Sequence, residues 1–267
     1  PDSNVISWSN PGPAVVTNSS VSISGQGRLN TIIKDPNNPL TLYVGSPAGG
    51  IWKSTDDGTN WTPLSDNLPQ IGVSGIAIDP TDSNIIYIAT GDDDAGDSYS
   101  VGVMKSTDAG QTWNTTGLTY LYTNYEMTNE IFIDPTNNNH IWVASTEGLQ
   151  KSEDGGDTWT IKQGGNIVDF RLHPNYYNNS IIYAVGYNNN ESKFYRSEDK
   201  GETFAEISSI PTDSNRIILE TTLAAPDKVY VLSAYDNGDG TYEGRNSFQG
   251  VYVSDDAGLN FNKTAES

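Results

Sequence analysis

The sequence predicts an all-β protein, a β-propeller of four-stranded blades, and three observations carry that prediction. The first is a unit of pattern S-x-D-x-G-x-x-aromatic. It reads KSTDDGTNW at 53–61, KSTDAGQTW at 105–113, KSEDGGDTW at 151–159, RSEDKGETF at 196–204 and VSDDAGLNF at 253–261. Its serines, Ser54, Ser106, Ser152, Ser197 and Ser254, follow one another at 52, 46, 45 and 57 residues. The second is an alternating apolar run, an Asp-Pro or variant turn, and another apolar run, once per period. Examples are GIAIDPTDSNIIYIAT at 75–90 and EIFIDPTNNNHIWVAS at 130–145. The third is that no helical periodicity of useful length occurs. A period of 40–50 residues holding four short strands is the signature of propeller blades.

The elements follow in order. Each apolar run is short, rich in Ile, Val, Tyr and Trp, and bounded by Gly, Pro, Asn and Asp, which is strand chemistry. In the second period the strands are expected at Gly75–Ile78, Ile85–Thr90, Val101–Ser106 and Thr112–Thr116. The Asp-Pro segments are turns, because Pro presets φ and Asn and Asp tolerate tight conformations. Five blades are expected at about 28–66, 73–118, 128–163, 166–209 and 217–265. Segment 1–27 precedes them and is expected to offer an outer strand to a closing blade. Five blades are visible, and the chain is expected to be part of a larger ring.

The repeated acid reads as a structural device. Glycine supplies a positive φ without a Cβ clash. The carboxylates of Asp56, Asp108, Asp154, Asp199 and Asp256 can accept backbone N–H bonds across the turn, with the serine hydroxyl joining. Trp61, Trp113, Trp159, Phe204 and Phe261 are then expected to begin the next strand and bury a ring between blades. Catalytic carboxylates must converge on one substrate, whereas copies spread around a ring diverge.

Composition excludes several functions. The chain has 267 residues and 34 acids against 14 bases, a formal net charge of −20. Phosphate binding needs clustered Lys and Arg, so nucleic acid and anionic membrane surfaces are not expected partners. There is no Cys, hence no disulfide or thiolate chemistry. His140 and His173 are the only histidines and both fall in turns, so a histidine zinc site is not expected. No apolar run reaches membrane-spanning length. The chain starts at Pro1, which reads as a mature protein, an expressed portion or a fragment.

A propeller meander sorts its connections onto two faces. The Asp-Pro turns and the Ser-Asp units share one face and keep nearly constant length. The insertions fall on the other: GDDDAGDSYS at 91–100, GLTYLYTNYEMTN at 117–129, GYNNNES at 186–192 and YDNGDGTYEGRNSFQ at 235–249. Repeat proteins usually bind on one such face, so function is expected there. Tyr99, Tyr120, Tyr122, Tyr125, Tyr187, Tyr235 and Tyr242, with Arg28 near the central channel, are the candidate ligand contacts. Tyrosine rings stack on the apolar faces of a sugar while carboxylates accept from its hydroxyls. The alternative is that these tyrosines fill small cores within their loops. Asp92, Asp93, Asp94 and Asp97, and separately Asp236, Asp239 and Glu243, are candidate calcium ligands, because calcium takes several oxygens. Solvation alone is the competing reading of both clusters.

The Ser-Asp unit resembles the Asp box, or BNR repeat, of sialidases, xyloglucanases, sortilin-type receptors and a photosystem assembly factor. The resemblance covers residues 28–265 and implies a propeller; those families do unrelated things. GQGRLNTIIKDPNNPLTLYVGSPAGGIWKS at 25–54 further resembles the N-terminal propeller of large secreted bacterial surface proteins labelled sialidase- or glycosidase-like. Some of those are exported by a type 9 system through a C-terminal sorting domain, which is not visible here. The resemblance to sialidases implies an arginine triad opened by Arg-Ile-Pro. None of Arg28, Arg171, Arg196, Arg216 and Arg245 is followed by Ile-Pro. The resemblance to xyloglucanases implies a Tyr-x-Arg-Thr-Asp-x-Gly-Gly pattern with a catalytic Asp. Tyr43, Gly49 and Gly50 match it, but Pro47 stands at the acid's position.

The resulting expectation is a secreted, non-catalytic domain at the cell surface that recognises glycan or protein, or acts as a scaffold. No catalytic residue is assigned. Further domains of the same polypeptide and the secretion machinery are expected partners. One alternative is a glycoside hydrolase or sialidase-like enzyme with its site on the inserted-loop face. Another is passive secretion cargo.

Overall fold

The computed structural model describes residues 28–68, 72–92, 98–235 and 247–265. These form five four-stranded antiparallel sheets, each a meander in chain order. The first holds β1 (Thr31–Lys34), β2 (Leu42–Ser46), β3 (Gly50–Ser54) and β4 (Thr62–Pro63). The second holds β5 (Val73–Ile78), β6 (Ile86–Thr90), β7 (Gly102–Ser106) and β8 (Asn114–Thr119). The third holds β9 (Thr128–Ile133), β10 (Ile141–Ser145), β11 (Gly148–Ser152) and β12 (Thr160–Gly164). The fourth holds β13 (Asn166–Leu172), β14 (Ile182–Asn188), β15 (Glu191–Ser197) and β16 (Ala205–Ile207). The fifth holds β17 (Arg216–Thr221), β18 (Val229–Tyr235), β19 (Ser247–Ser254) and β20 (Asn262–Ala265).

The first strands of successive sheets lie beside one another, so β1, β5, β9, β13 and β17 form the inner wall of a β-propeller. Its core consists of four apolar layers, one between each pair of neighbouring sheets. The second strands β6 and β10 are buried along their whole length, because both faces are covered, and accordingly read IYIAT and IWVAS. The outermost β8 and β12 are mostly exposed and read NTTGLT and TIKQG.

The five Ser-Asp turns are built alike. The serine hydroxyl donates to the aspartate at 2.7–2.8 Å and accepts from the glycine N–H four residues on at 2.8–2.9 Å. The aspartate accepts from the backbone and side chain of Asn60, Thr112, Thr158, Thr203 or Asn260. These bonds hold Asp108, Asp154 and Asp256 down at about 2, below the usual carboxylate value. Asp199 also falls to about 2, where burial opposes the shift and the bonds from Thr203 and Ser197 overcome it. Because position 112 is held inside the turn, β8 starts at Asn114 rather than at Thr112. For the same reason the aromatic of each unit precedes its strand instead of beginning it.

These turns dock on the Asp-Pro turns of their own sheets. Asp57, Ala109, Gly155, Lys200 and Ala257 each donate a backbone N–H to that neighbouring turn. Asp35, Asp79 and Asp134 accept a backbone N–H two residues on, and His173 replaces the acid by accepting from Asn175 through Nδ1 at 2.9 Å. Burial lowers the His173 pKa, which keeps that lone pair available. The turns also join sheet to sheet. Ser83 donates to Asp35 at 2.7 Å, Asn138 to Asp79 at 2.8 Å and Tyr176 to Asp134 at 3.0 Å. This face of the propeller is a continuous hydrogen-bonded girdle.

Candidate functional site

The opposite face carries the connections between second and third strands and between sheets. At the mouth of the central channel a cavity of about 470 Å³ is lined by Arg28, Asn30, Asn129, Asn166, Tyr187 and Arg216, among others. Arg28 is one-third exposed and pairs with the fully buried Asp92. Asn30 donates to the same carboxylate at 3.4 Å. Asp92 therefore anchors Arg28 at the channel rim. Among the described residues there is no group of three or more His, Cys, Asp or Glu side chains arranged to hold a metal. Asp93, Asp94, Asp97, Asp236, Asp239, Glu243 and Tyr242 lie outside the described residues, as does segment 1–27.

The tyrosines separate into two groups. Tyr99, between β6 and β7, meets two rings of the connection between β8 and β9. Tyr122 lies edge-on at 5.4 Å and Tyr125 at 4.9 Å between ring centroids. The one-turn 3-10 segment Tyr122–Asn124 ends on Tyr125, whose φ of 61° turns its ring back over Tyr99. Tyr122 and Tyr125 are 49% and 65% exposed, and Tyr99 is half-buried. Ser100 N donates to the carbonyl of Glu126 at 2.8 Å, which fixes the two loops together. Glu126 follows the platform directly, and the hydroxyl of Thr146 donates to its carboxylate.

The other tyrosines serve the scaffold or the channel. Tyr120 packs on the apolar layer between the second and third sheets, donates to Glu147 at 3.0 Å and accepts from Gln150 at 2.9 Å. Burial raises its hydroxyl pKa well above the ordinary value. Tyr187 lines the channel mouth, with its hydroxyl pushed up to about 12 by burial. Tyr235 closes β18 opposite Ser247 and is half-buried.

Sequence reasoning missed two polar features of the channel. Asn129 donates to Ile167 O at 2.7 Å, while its Oδ1 and that of Asn166 are buried without a hydrogen-bond partner. Deeper in, Arg171 pairs with Asp169 and approaches Glu130 at 3.8 Å and Glu220 at 3.5 Å. Burial pushes Asp169 up to about 6, against the pull of Arg171 and of the Leu219 N–H that it accepts at 2.9 Å. The two-residue spacing of Asp169 and Arg171 on an inner strand, which places both on one face, was the available signal.

In the connection between β2 and β3, the carbonyl of Pro47 accepts from Ser98 Oγ at 2.9 Å. That residue thus ties the first sheet to the second and supplies no acid.

No protein-family model matches the chain. Its similarities define the class of protein it falls beside. A xyloglucanase from a Paenibacillus species is 26% identical over 83% of the chain and 24% of the relative. Xyloglucanase Xgh74A of Acetivibrio thermocellus is 26% identical over 84% and 30%. Sortilin of Danio rerio is 26% identical over 90% and 27%. The chain thus spans about a quarter to a third of the length of these relatives. Among solved structures, an ancestral GH74 enzyme superposes with a TM-score of 0.68 at 20% identity, over 89% of the chain and 31% of that structure. The GH74 enzyme of Niastella koreensis gives 0.64 at 21%, over 88% and 38%. YCF48 bound to D1 peptide gives 0.58 at 12%, over 90% and 67%. These structures establish the fold. The named xyloglucanases correct the expectation of a non-catalytic recognition or scaffold domain: similarity over most of the chain is to glycoside hydrolases, and the glycosidase alternative is the reading that has support.

Proposed function

We propose that this chain is a propeller unit of an extracellular glycoside hydrolase acting on a β-linked polysaccharide of the xyloglucan class. The supporting observation is the Tyr99–Tyr122–Tyr125 platform, with Tyr122 and Tyr125 exposed, on the inserted-loop face of a fold shared with named xyloglucanases. Exposed aromatic faces offer stacking surface to pyranose rings, and the flanking carboxylate and amide groups suit their hydroxyls. Glycoside cleavage needs a carboxylic acid and a carboxylate flanking the bond. Glu126, beside the platform, is the residue we assign to one of those roles. Pro47 leaves the first sheet without the acid that the xyloglucanase pattern places there, so the partner carboxylate comes from elsewhere on the same face or from outside this chain.

The test is hydrolysis of xyloglucan by the complete gene product, followed as released reducing ends. Tyr122→Ala and Tyr125→Ala should raise KM about tenfold or more, and Glu126→Gln should lower kcat about a hundredfold, the scale of acid–base catalysis. No turnover of xyloglucan or other β-glucans would remove this reading. So would unchanged kinetics in all three variants.

A further inference from the structure

The cavity at the mouth of the central channel is chemically unlike the tyrosine platform. Its walls are residues 28–30 ahead of β1, together with β9, β13 and β17. None of Tyr99, Tyr122 and Tyr125 lines it. At about 470 Å³ it falls within the range of roughly 300–1,000 Å³ that small-molecule sites occupy.

Asn129, on β9, is only 3% exposed. Its amide nitrogen donates to Ile167 O at 2.7 Å, and that bond fixes which way the amide faces. A flipped amide would set oxygen against oxygen. Oδ1 is thereby committed as an acceptor, and it is buried without a hydrogen-bond partner. Asn166 opens the neighbouring β13 and carries a second oxygen in the same condition. A buried acceptor that meets no donor is costly. Packing alone would be served by aliphatic residues such as Val168 and Ile218, which line the same walls. Two such oxygens on adjacent strands of one cavity therefore point to donors brought by a ligand.

The rest of the lining narrows the ligand's chemistry. Arg28, held at the rim by the buried Asp92, carries N–H donors, and Asp92 matches its charge. Leu29 and Ile218, 54% and 48% exposed, add apolar wall. A carboxylate or phosphate would present only acceptors to the two asparagine oxygens, and the net charge of −20 repels anions. A hydrocarbon would bring no donor at all. A hydroxyl both donates and accepts, so a ring bearing several hydroxyls can meet the asparagines and the arginine at once while its C–H faces touch the aliphatic wall.

We propose that the channel-mouth cavity binds a neutral, ring-sized polyhydroxylated molecule of the monosaccharide class, whose hydroxyls donate to Asn129 Oδ1 and Asn166 Oδ1 and accept from Arg28. This site is separate from the platform, and the inference does not rest on the xyloglucan reading.

The test is titration of the complete gene product with D-glucose, D-xylose and myo-inositol as neutral probes and D-glucuronate as the charged one, followed by ligand-detected saturation-transfer NMR. At least one neutral probe is expected to bind more tightly than glucuronate. Asn166→Leu and Asn129→Leu should each weaken it about tenfold or more, the scale of one lost hydrogen bond to a buried group. Asn129→Leu also loses the bond to Ile167, so Asn166→Leu, which removes no bond of that kind, carries the test if the first variant unfolds. Failure of every neutral probe to bind would overturn the inference, as would tighter binding of glucuronate or full binding in Asn166→Leu. Binding lost in Tyr122→Ala instead would put the sugar on the platform and overturn it too.

Discussion

The two faces of this propeller differ in how closely they repeat. On one, five Ser-Asp turns make the same bonds at distances that agree within about 0.2 Å, and each docks on the Asp-Pro turn, or its variant, of its own sheet. On the other, the described connections differ from one another: an Arg28–Asp92 pair, a tyrosine platform, a Tyr120–Glu147 tether. Repetition marks what each blade needs in order to stack on its neighbour. Departure from repetition marks where a ligand can be recognised, because a single ligand has no use for five identical groups.

The largest test of this contrast removes a ring from the repeating side. Trp142→Ala should cost about 3–5 kcal/mol in denaturant unfolding, because a fully buried indole leaves a cavity between the third and fourth sheets. Gly201→Ala should cost about 1–3 kcal/mol by overpacking against that ring. In the Trp142→Ala background the same glycine change should cost less, leaving the strain of a φ of 81° and a 3.1 Å approach to Ile182. Additive costs would show that the ring and the turn are not coupled.

A second test uses pH. The turn acids at about 2 lie below their ordinary value of 3.8, so they favour the folded state most fully above about pH 4. That contribution is lost as pH falls toward 2, and the melting temperature should drop over the same interval. Asp169 has the opposite sign. Its folded value of about 6 exceeds 3.8, so the fold holds its proton more tightly, and stability is lost as pH rises from about 4 through 6. Asp169→Asn should flatten that second slope and leave the first untouched, which titration by scanning calorimetry can read.

The smallest effect belongs to the variable face. Tyr122→Ala should change unfolding free energy by no more than about 1 kcal/mol, the scale of one edge-on aromatic pair at an exposed site. A larger loss would mean that the tyrosine cluster is a loop core, not a platform.

Much of the blade was legible because its determinants are local. Alternation marked the strands, and the serine, aspartate and glycine of each turn bond within four residues of one another. The strand starts moved for local reasons: β8 begins two residues later than expected because Thr112 is held in its turn, and β5 begins two residues earlier, at Val73, ahead of an irregularity in its pairing before Gly75. The tyrosines were less legible. Tyr120, Tyr122 and Tyr125 are neighbours in sequence, yet one is tethered to the third sheet while two stand on the surface.

The sequence by itself determined the repeat, its strands and turns, and the face on which insertions gather, since each follows from neighbours a few residues apart. Tertiary structure decided which residues meet across the ring. It paired Arg28 with Asp92, 64 positions away, set Asp169 beside Leu219, 50 positions away, and bonded Tyr87 to Gly155, 68 positions away. Those contacts depend on the angle between sheets and on which sheet comes next, and no periodicity within one blade encodes either.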